Sequence, residues 1–175
     1  MMNEIKENSL DICVVTETWL NNLDDIWLER SECNYDGFSV SNVNRKIGKY
    51  WRLVLITRRP FTVKQKVIVN KDTFEYAIRE LKIKTYILNI LVVYRPPYSQ
   101  GHQLTIPQFI DEFLETFTHE ISSLEIFIVS GDFNIEVDVA DDPDVQAFVE
   151  SMYVLRLDQH VNCETHVKGH ILDHI

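Results

Sequence analysis

Most apolar residues of this 175-residue chain lie in short runs and alternations that are typical of β-strands. The segments "FEYAIRELKI" and "TYILNILVVY" predict two neighbouring strands, with Lys84 near the turn between them. Pro96 and Pro97 end the second strand, because proline has no N–H to donate to a central ladder. This pair is the strongest β prediction in the sequence.

Five further segments predict strands. A short apolar run covers Ile12–Val15, and "YDGFSVSNV" predicts another strand. "WRLVLITRRPFTVKQKVIV" predicts one or two strands, broken near its proline, and "LEIFIVS" predicts a buried strand. "HILDHI" predicts the start of one more strand.

Three segments have helical patterns. "MMNEIKENS" has the pattern of the end of an amphipathic helix. "TIPQFIDEFLETFTHEISS" repeats apolar residues with a helical period, at Phe109, Ile110, Phe113, Leu114 and Phe117. "DPDVQAFVESM" places Asp142 directly before Pro143, which is a favourable helix N-terminus.

The order of these elements predicts an α/β (α+β) fold. Strand pairs mix with helices that can cover a sheet, which favours a sandwich of two sheets with helices outside. A flavodoxin-like alternation is the alternative, but too many strands follow one another without a helix between them. The length predicts a single domain.

Composition and charge limit the classes of protein that this chain can represent. It is 45% apolar and 25% charged, which is typical of a globular protein. The sequence has no run of 18 apolar residues, so it predicts no membrane-spanning helix. An acidic N-terminus and an odd number of cysteines predict an intracellular protein with reduced thiols.

The net charge of −10 argues against a simple nucleic-acid binder, but not against an enzyme whose carboxylates hold divalent cations.

Three of the predicted strands end in polar side chains. Glu17 follows the first, Tyr94 and Arg95 end another, and Asp132 and Asn134 follow "IFIVS". Each group taken alone is explained by the turn that ends a strand. Because residues two apart in an extended chain face the same side, the alternative is that Asp132 and Asn134 point together while Phe133 lies opposite, in the core.

These residue types together favour phosphate chemistry with a metal. Mg²⁺ prefers oxygen ligands and is usually held by one or two carboxylates with waters and substrate phosphates, so Glu17 and Asp132 would supply the carboxylates. Asn134 would orient a nucleophilic water or bind a phosphate oxygen. Tyr94 and Arg95 would donate hydrogen bonds to phosphate.

Four segments carry a family resemblance: "VVTETWL", "VVYRPPYS", "VSGDFNIEVD" and "THVKGHILDHI". In order and spacing they resemble the endonuclease/exonuclease/phosphatase superfamily, and more narrowly the apurinic-type endonuclease domain of LINE-type non-LTR retrotransposons. The resemblance covers nearly the whole chain. It implies a deoxyribonuclease-like four-layer fold and a DNA-nicking phosphodiesterase that uses Mg²⁺ or Mn²⁺. It also implies a nuclear location for a functional protein and, in an intact element, a reverse transcriptase domain later in the same chain.

The resemblance assigns roles to five positions. Glu17 matches a metal-binding glutamate, and Tyr94 matches a tyrosine that contacts phosphate. Asp132 matches the aspartate that activates the attacking water or holds metal, with Asn134 as its partner. Asp173 matches the aspartate that orients the catalytic histidine through a hydrogen bond.

The chain also departs from the family pattern. The family's first strand, with its asparagine, and its closing Ser-Asp-His segment have no match in residues 1–175, and His174 is a poor substitute for the catalytic histidine. The expectation is therefore one incomplete domain whose nicking activity is impaired. The alternatives are a non-catalytic remnant of such a domain, or a repair endonuclease or phosphatase of the same superfamily.

Overall fold

The computed structural model describes residues 2–16, 37–43, 53–99, 103–122, 126–166 and 169–174. Its helices are α1 (Met2–Glu7), α2 (Ile106–Ser122) and α3 (Pro143–Val154). Its strands are β1 (Ile12–Val15), β2 (Phe38–Val43), β3 (Leu53–Arg58), β4 (Thr62–Asn70), β5 (Glu75–Ile83), β6 (Tyr86–Tyr94), β7 (Phe127–Asp132) and β8 (Asp173–His174). All the helices and strands predicted from the sequence are present. Within these described ranges, no helix has the length and apolar character needed to cross a membrane.

The strands form two sheets. The three-stranded sheet has the order β1-β3-β2, and both of its pairings are antiparallel. The five-stranded sheet has the order β4-β5-β6-β7-β8, in which β6 and β7 are parallel and β7 and β8 are antiparallel. The segment that predicted one or two strands forms two, and Pro60 separates strands that belong to different sheets.

The chain divides into two compact units, Met1–Lys66 with Arg79–Ile87 and Val67–Ile78 with Leu88–Ile175. The first unit has its own small core. Ile5 of α1 packs with apolar residues of β2 and β3, namely Phe38, Val40, Val54 and Ile56. These side chains alternate along their strands, as expected for one buried sheet face.

The second unit has an aromatic core between its strands and its helices. Phe109, Phe113 and Phe117 recur every fourth residue of α2 and form one buried stripe, as the helical period predicted. They meet Phe74, Tyr76, Phe133 and Phe148, with ring centroids 5.2 to 6.1 Å apart. Such ring pairs contribute about 0.5–1.5 kcal/mol each beyond the area they bury.

Helix α3 begins where the sequence predicts. Asp142 is its N-cap, and its Oδ1 accepts hydrogen bonds from the N–H groups of Asp144, at 2.8 Å, and Val145, at 3.4 Å. Pro143 occupies the first helical turn, where a missing N–H has no cost. Val145 and Phe148 carry the helix into the aromatic core.

Strand β7 is buried only in its second half, although the sequence predicted a buried strand. Val129 and Ser130 are buried, whereas Ile128 is 37% exposed and Ile126, the residue before the strand, is 45% exposed. An apolar groove of about 590 Å³ lies beside this exposed half and is lined largely by β7 and α3. The apolar run was sufficient to predict the strand but not which of its ends is covered.

Glu112 ties α2 to the turn between β4 and β5. Its carboxylate accepts hydrogen bonds from the Thr73 N–H at 2.8 Å, the Thr73 hydroxyl at 2.6 Å and the Asp72 N–H at 3.1 Å. Partial burial acts to raise the pKa of Glu112, but the hydrogen bonds from Thr73 and Asp72 and the charge of Lys71 outweigh it and hold the pKa below its usual value.

Gly131 allows β7 to lie close to β6. A Cβ atom at this position would be 1.8 Å from the carbonyl oxygen of Val93, its register partner across the parallel pair. Only a residue without a side chain fits, because the obstructing atom belongs to the backbone of the neighbouring strand and cannot rotate away.

Gly131→Ala is expected to lower the free energy of unfolding by more than about 3 kcal/mol, the upper end of the usual cost of overpacking. Gly37→Ala is the control, since Gly37 has a φ of +89° but no atom within 4 Å of an added Cβ. It carries only the cost of the left-handed backbone, about 1–2 kcal/mol. Urea unfolding measures both variants, and equal losses would contradict the close approach of β6 and β7.

Glu112→Gln is expected to destabilise the chain by about 1–3 kcal/mol at pH 7, because hydrogen bonds to a charged group are lost. The difference from wild type should shrink as the pH falls below about 4.3, the ordinary pKa of glutamate. In that range the unfolded carboxylate binds a proton before the folded one does, so the folded state loses its advantage. Urea unfolding at a series of pH values measures this, with Glu115→Gln, an exposed glutamate on the same helix, as the control. A difference that stays constant from pH 7 to pH 3 would contradict the assignment.

Candidate active site

The parallel strands β6 and β7 end side by side. Tyr94 and Asp132 are register partners at these ends. Leu91, Val93 and Val129 belong to the aromatic core, so the alternation of each strand places Tyr94 and Asp132 together on the opposite face of the sheet. The structure therefore brings these two predicted site residues together. Tyr94 is 2% exposed, and Asp132 is half-buried.

Asn134 reaches the same place by a different route from the one predicted. The sequence predicted an extended chain in which Asp132 and Asn134 point to the same side. Instead the strand ends at Asp132, Asn134 has a left-handed φ of 50°, and its N–H donates to Asp132 Oδ1 at 2.9 Å. Asparagine tolerates this conformation better than most residues. Phe133 is buried in the aromatic core, as predicted. The two interpretations of the Gly-Asp-Phe-Asn segment are thus both partly right, since the segment is a turn and the turn gathers the polar groups.

The main chain and the side chain of Arg95 both form hydrogen bonds with residues of this turn. Its N–H donates to the Asp132 carbonyl oxygen at 2.9 Å, and its own carbonyl oxygen accepts from Asn134 Nδ2 at 2.7 Å. Its Nη1 donates to the carbonyl oxygens of Phe133 at 3.3 Å and Asn134 at 3.2 Å. Its guanidinium carbon lies 5.5 Å from the centroid of the Phe109 ring.

Arg95, which the sequence predicts to bind substrate, is buried, and its role in substrate binding stays a prediction. The residue is 4% exposed, and its guanidinium lies against the aromatic core. Burial lowers the pKa of the Arg95 guanidinium, while the negative charges of Asp132 and Asp144 oppose that shift. The guanidinium donates to backbone oxygens of the turn.

Strand β8 places Asp173 beside Asp132. The two residues are partners in the antiparallel register, and Gly131 pairs with His174. The Phe133 N–H donates to the Leu172 carbonyl oxygen at 3.2 Å, which carries the pairing past the end of β7. The backbone of Asp173 is thus next to the candidate site, and its role in orienting a histidine stays a prediction.

A clip between Asp138 and His170 holds the segment that leads into β8, and sequence reasoning missed it. Asp138 Oδ2 lies 2.9 Å from His170 Nδ1, and Asp138 Oδ1 accepts from the Ile171 N–H at 3.0 Å. The Ile171 N–H and His170 hold the pKa of Asp138 below its usual range. No signal in the sequence connects these residues, because they lie 32 positions apart and neither belongs to a periodic pattern.

The described residues include only part of the predicted set of metal ligands. Glu17, the other predicted ligand, lies outside the described residues. Asp132 supplies a carboxylate, and Asn134 supplies a carboxamide whose nitrogen is bonded to Arg95, so its oxygen is the group directed to accept or coordinate. These are oxygen donors of the kind that Mg²⁺ prefers, with water and phosphate completing its coordination. Within the described ranges no group of three His, Cys, Asp or Glu side chains is placed to hold a metal by itself.

The fold is similar to solved structures at low sequence identity. The endonuclease domain of TRAS1, a telomere-specific non-LTR retrotransposon, has a TM-score of 0.68 at 12% identity over 98% of this chain and 74% of that one. TDP2 from D. rerio, complexed with a single-strand DNA product, has a TM-score of 0.53 at 14% identity over 83% and 54%. TDP2 from C. elegans has a TM-score of 0.53 at 17% identity over 77% and 40%. This chain therefore spans about half of the TDP2 chains that it matches.

These similarities confirm the predicted fold class, an α/β fold of two sheets flanked by helices. At such identities they are evidence of the fold alone, because one fold hosts many functions. No curated protein is significantly similar in sequence to this chain.

A family model identifies the chain more directly. The model for the endonuclease/exonuclease/phosphatase family matches residues 1–175. Members of this family are hydrolytic nucleases and phosphatases. The match confirms the resemblance predicted from the four segments of the sequence. This chain belongs to the endonuclease/exonuclease/phosphatase family.

Proposed function

We propose that this chain is a Mg²⁺- or Mn²⁺-dependent phosphodiesterase domain that nicks DNA, of the retrotransposon endonuclease type. The observation that carries the proposal is the meeting of Tyr94, Asp132 and Asn134 at the adjacent ends of two parallel strands. A phenol, a carboxylate and a carboxamide on one edge are the groups that a hydrolytic phosphodiesterase needs. They can bind a phosphate, hold a cation and orient a water molecule.

The chain's own residues have separable roles in this reaction. Water attacks the phosphorus in line with the leaving 3′ oxygen. Asp132 takes the proton of that water or holds the cation, and the Asn134 N–H bonded to Asp132 Oδ1 fixes the direction of its carboxylate. Because Asn134 Nδ2 donates to Arg95, its Oδ1 is directed to accept a hydrogen bond from the water. Tyr94 donates from its phenol to a phosphate oxygen.

Glu17 and Asp132 would hold the cation. When bound, it supplies Lewis-acid polarisation of the phosphoryl oxygen and stabilises negative charge on the leaving oxygen. By the resemblance, Asp173 would orient a catalytic histidine, a role for which His174 is a poor candidate.

DNA is the proposed substrate because of two structural relatives. One is the endonuclease domain of a retrotransposon, and another was solved with a single-strand DNA product. In an intact element we propose that a reverse transcriptase domain follows in the same chain and that the protein acts in the nucleus. A repair endonuclease or a phosphatase would use the same groups on a different phosphoester, and a non-catalytic remnant would keep the fold without the reaction.

The wild-type chain is expected to convert supercoiled plasmid to the nicked form slowly with Mg²⁺, in line with the impaired nicking expected from the sequence, and Asp132→Asn should lower this rate by a further factor of about 10²–10⁴. The substitution removes the proton acceptor and a metal ligand while it preserves size. Asp111→Asn, an exposed aspartate on α2, is the charge-matched control and should nick at the wild-type rate. Nicking that survives in Asp132→Asn would contradict the site. Hydrolysis of p-nitrophenyl phosphate without nicking would favour the phosphatase.

Mg²⁺ is expected to raise the melting temperature of the chain. A ligand at 100 times its dissociation constant stabilises the folded state by about 2.7 kcal/mol. Glu17→Gln and Asp132→Asn should each reduce the shift, and Asp111→Asn should leave it intact. Thermal unfolding with Mg²⁺ and with a chelator measures the shift. Superimposable curves, together with no hydrolysis of either substrate, would favour the non-catalytic remnant.

A further inference from the structure

We propose that Arg95 is a positioning residue, whose buried guanidinium fixes the turn from Asp132 to Asn134 in the conformation that catalysis needs. This inference rests on the proposed function and deepens it. It replaces the phosphate-binding role that the sequence predicted for Arg95 with an action through the turn.

The guanidinium joins the two peptide carbonyls that define the turn. Nη1 donates to the carbonyl oxygens of Phe133 and Asn134, at 3.3 and 3.2 Å. These carbonyls flank the left-handed residue, whose φ is 50°. A left-handed conformation is unfavourable for a residue other than glycine and persists only when neighbouring contacts stabilise it. The two hydrogen bonds from Nη1 stabilise the peptide groups on either side of this residue.

The main chain of Arg95 also forms hydrogen bonds with this turn. Its N–H donates to the Asp132 carbonyl oxygen at 2.9 Å, and its carbonyl oxygen accepts from Asn134 Nδ2 at 2.7 Å. The direction of the Asn134 carboxamide is therefore set by Arg95. The direction of the Asp132 carboxylate is set in turn by the Asn134 N–H, which the guanidinium holds in place.

The surroundings of the guanidinium explain why arginine suits this position. The group is flat, and its carbon lies 5.5 Å from the centroid of the Phe109 ring, which allows stacking while the edge donates to carbonyls. Asp132 and Asp144 supply the negative charge that offsets the burial of a cation. Lysine offers a compact charge without a planar fork, so it can replace the charge but not the paired geometry.

A role in phosphate binding requires guanidinium donors that are available to substrate. Nη1 of Arg95 is already bonded to two backbone oxygens, and the group lies 5.5 Å from the centroid of the Phe109 ring. The two roles make opposite kinetic predictions. Loss of a phosphate contact raises KM, whereas loss of positioning lowers kcat, because a displacement of about 1 Å at reacting groups can cost about 100-fold in rate.

The test compares Arg95→Met and Arg95→Lys with the wild-type chain in nicking assays and in amide hydrogen exchange. For Arg95→Met we expect kcat to fall about 100-fold with KM within about threefold of wild type. Arg95→Lys should recover part of kcat, since it restores the charge and one donor. Arg156→Met is the matched control, because Arg156 is exposed at the end of α3, and it should leave kcat unchanged.

Hydrogen exchange separates positioning from general stability. In Arg95→Met the Asn134 amide, which donates to Asp132, should exchange at least about tenfold faster, while amides within α2 keep their protection. If Arg95→Met fails to fold, the same comparison is made with Arg95→Lys. A raised KM with unchanged kcat, or unchanged exchange at Asn134, would overturn the proposal. If the wild-type chain hydrolyses no phosphoester, the proposed function fails, and exchange alone decides whether Arg95 fixes the turn.

Discussion

The candidate site depends on the parallel pairing of β6 and β7. Parallel neighbours need a crossover, and α2 lies between these two strands in sequence. Parallel strands also finish at the same edge, so residues that end each strand become neighbours without any further contact. The register sets Tyr94 beside Asp132, and the absence of a side chain at Gly131 lets the strands approach closely enough for that register to form. One backbone arrangement thus brings together residues that are 38 positions apart in the sequence.

The turn after β7 is held from two directions, and this couples the fold to the site. Phe133 fills the aromatic core between α2 and α3, so its backbone cannot leave the sheet without opening a cavity. Arg95 bonds the carbonyl oxygens on both sides of the left-handed residue. A change at Phe133 therefore alters stability and site geometry together. Arg95 offers a way to disturb the geometry with less effect on the core, because its hydrogen bonds to the described residues all go to the turn.

The sequence predicted the elements well because their signals are local. Periodicity predicted α2 and its phenylalanine stripe, Asp142 before Pro143 predicted the start of α3, and glycine with aspartate predicted the end of β7. The contacts that the sequence did not predict join distant segments. Arg95 follows a strand end as a phosphate-binding residue would, and only the folded chain reveals that its guanidinium turns inward to residues 38 and 39 positions away.

The same limit explains the other differences. The clip between Asp138 and His170 involves no periodic pattern, so the sequence carries no trace of it. Strand alternation predicted that Asp132 and Asn134 lie together. They do, but through a left-handed turn at Asn134, and the pattern of apolar and polar residues does not predict such a turn. The family resemblance named Asp132 and Asn134 as partners without reference to strand alternation, because a sequence motif specifies residues and not their backbone conformation.

The charge of the chain links the two parts of the proposed function. The net charge is −10, and the segment that follows Asn134 adds Glu136, Asp138, Asp141, Asp142 and Asp144 within nine positions. Arg95 is buried and already bonded to the turn, so it does little to offset this charge for an incoming polyanion. A DNA backbone carries one phosphate charge per about 1.7 Å of helix, and its approach to such a surface is unfavourable unless cations intervene. A divalent cation held by Asp132 and Glu17 would reverse the local sign at the place where a phosphate must bind. In the proposed function, metal binding and DNA binding would therefore not be independent, since without the cation the electrostatics oppose the approach of DNA.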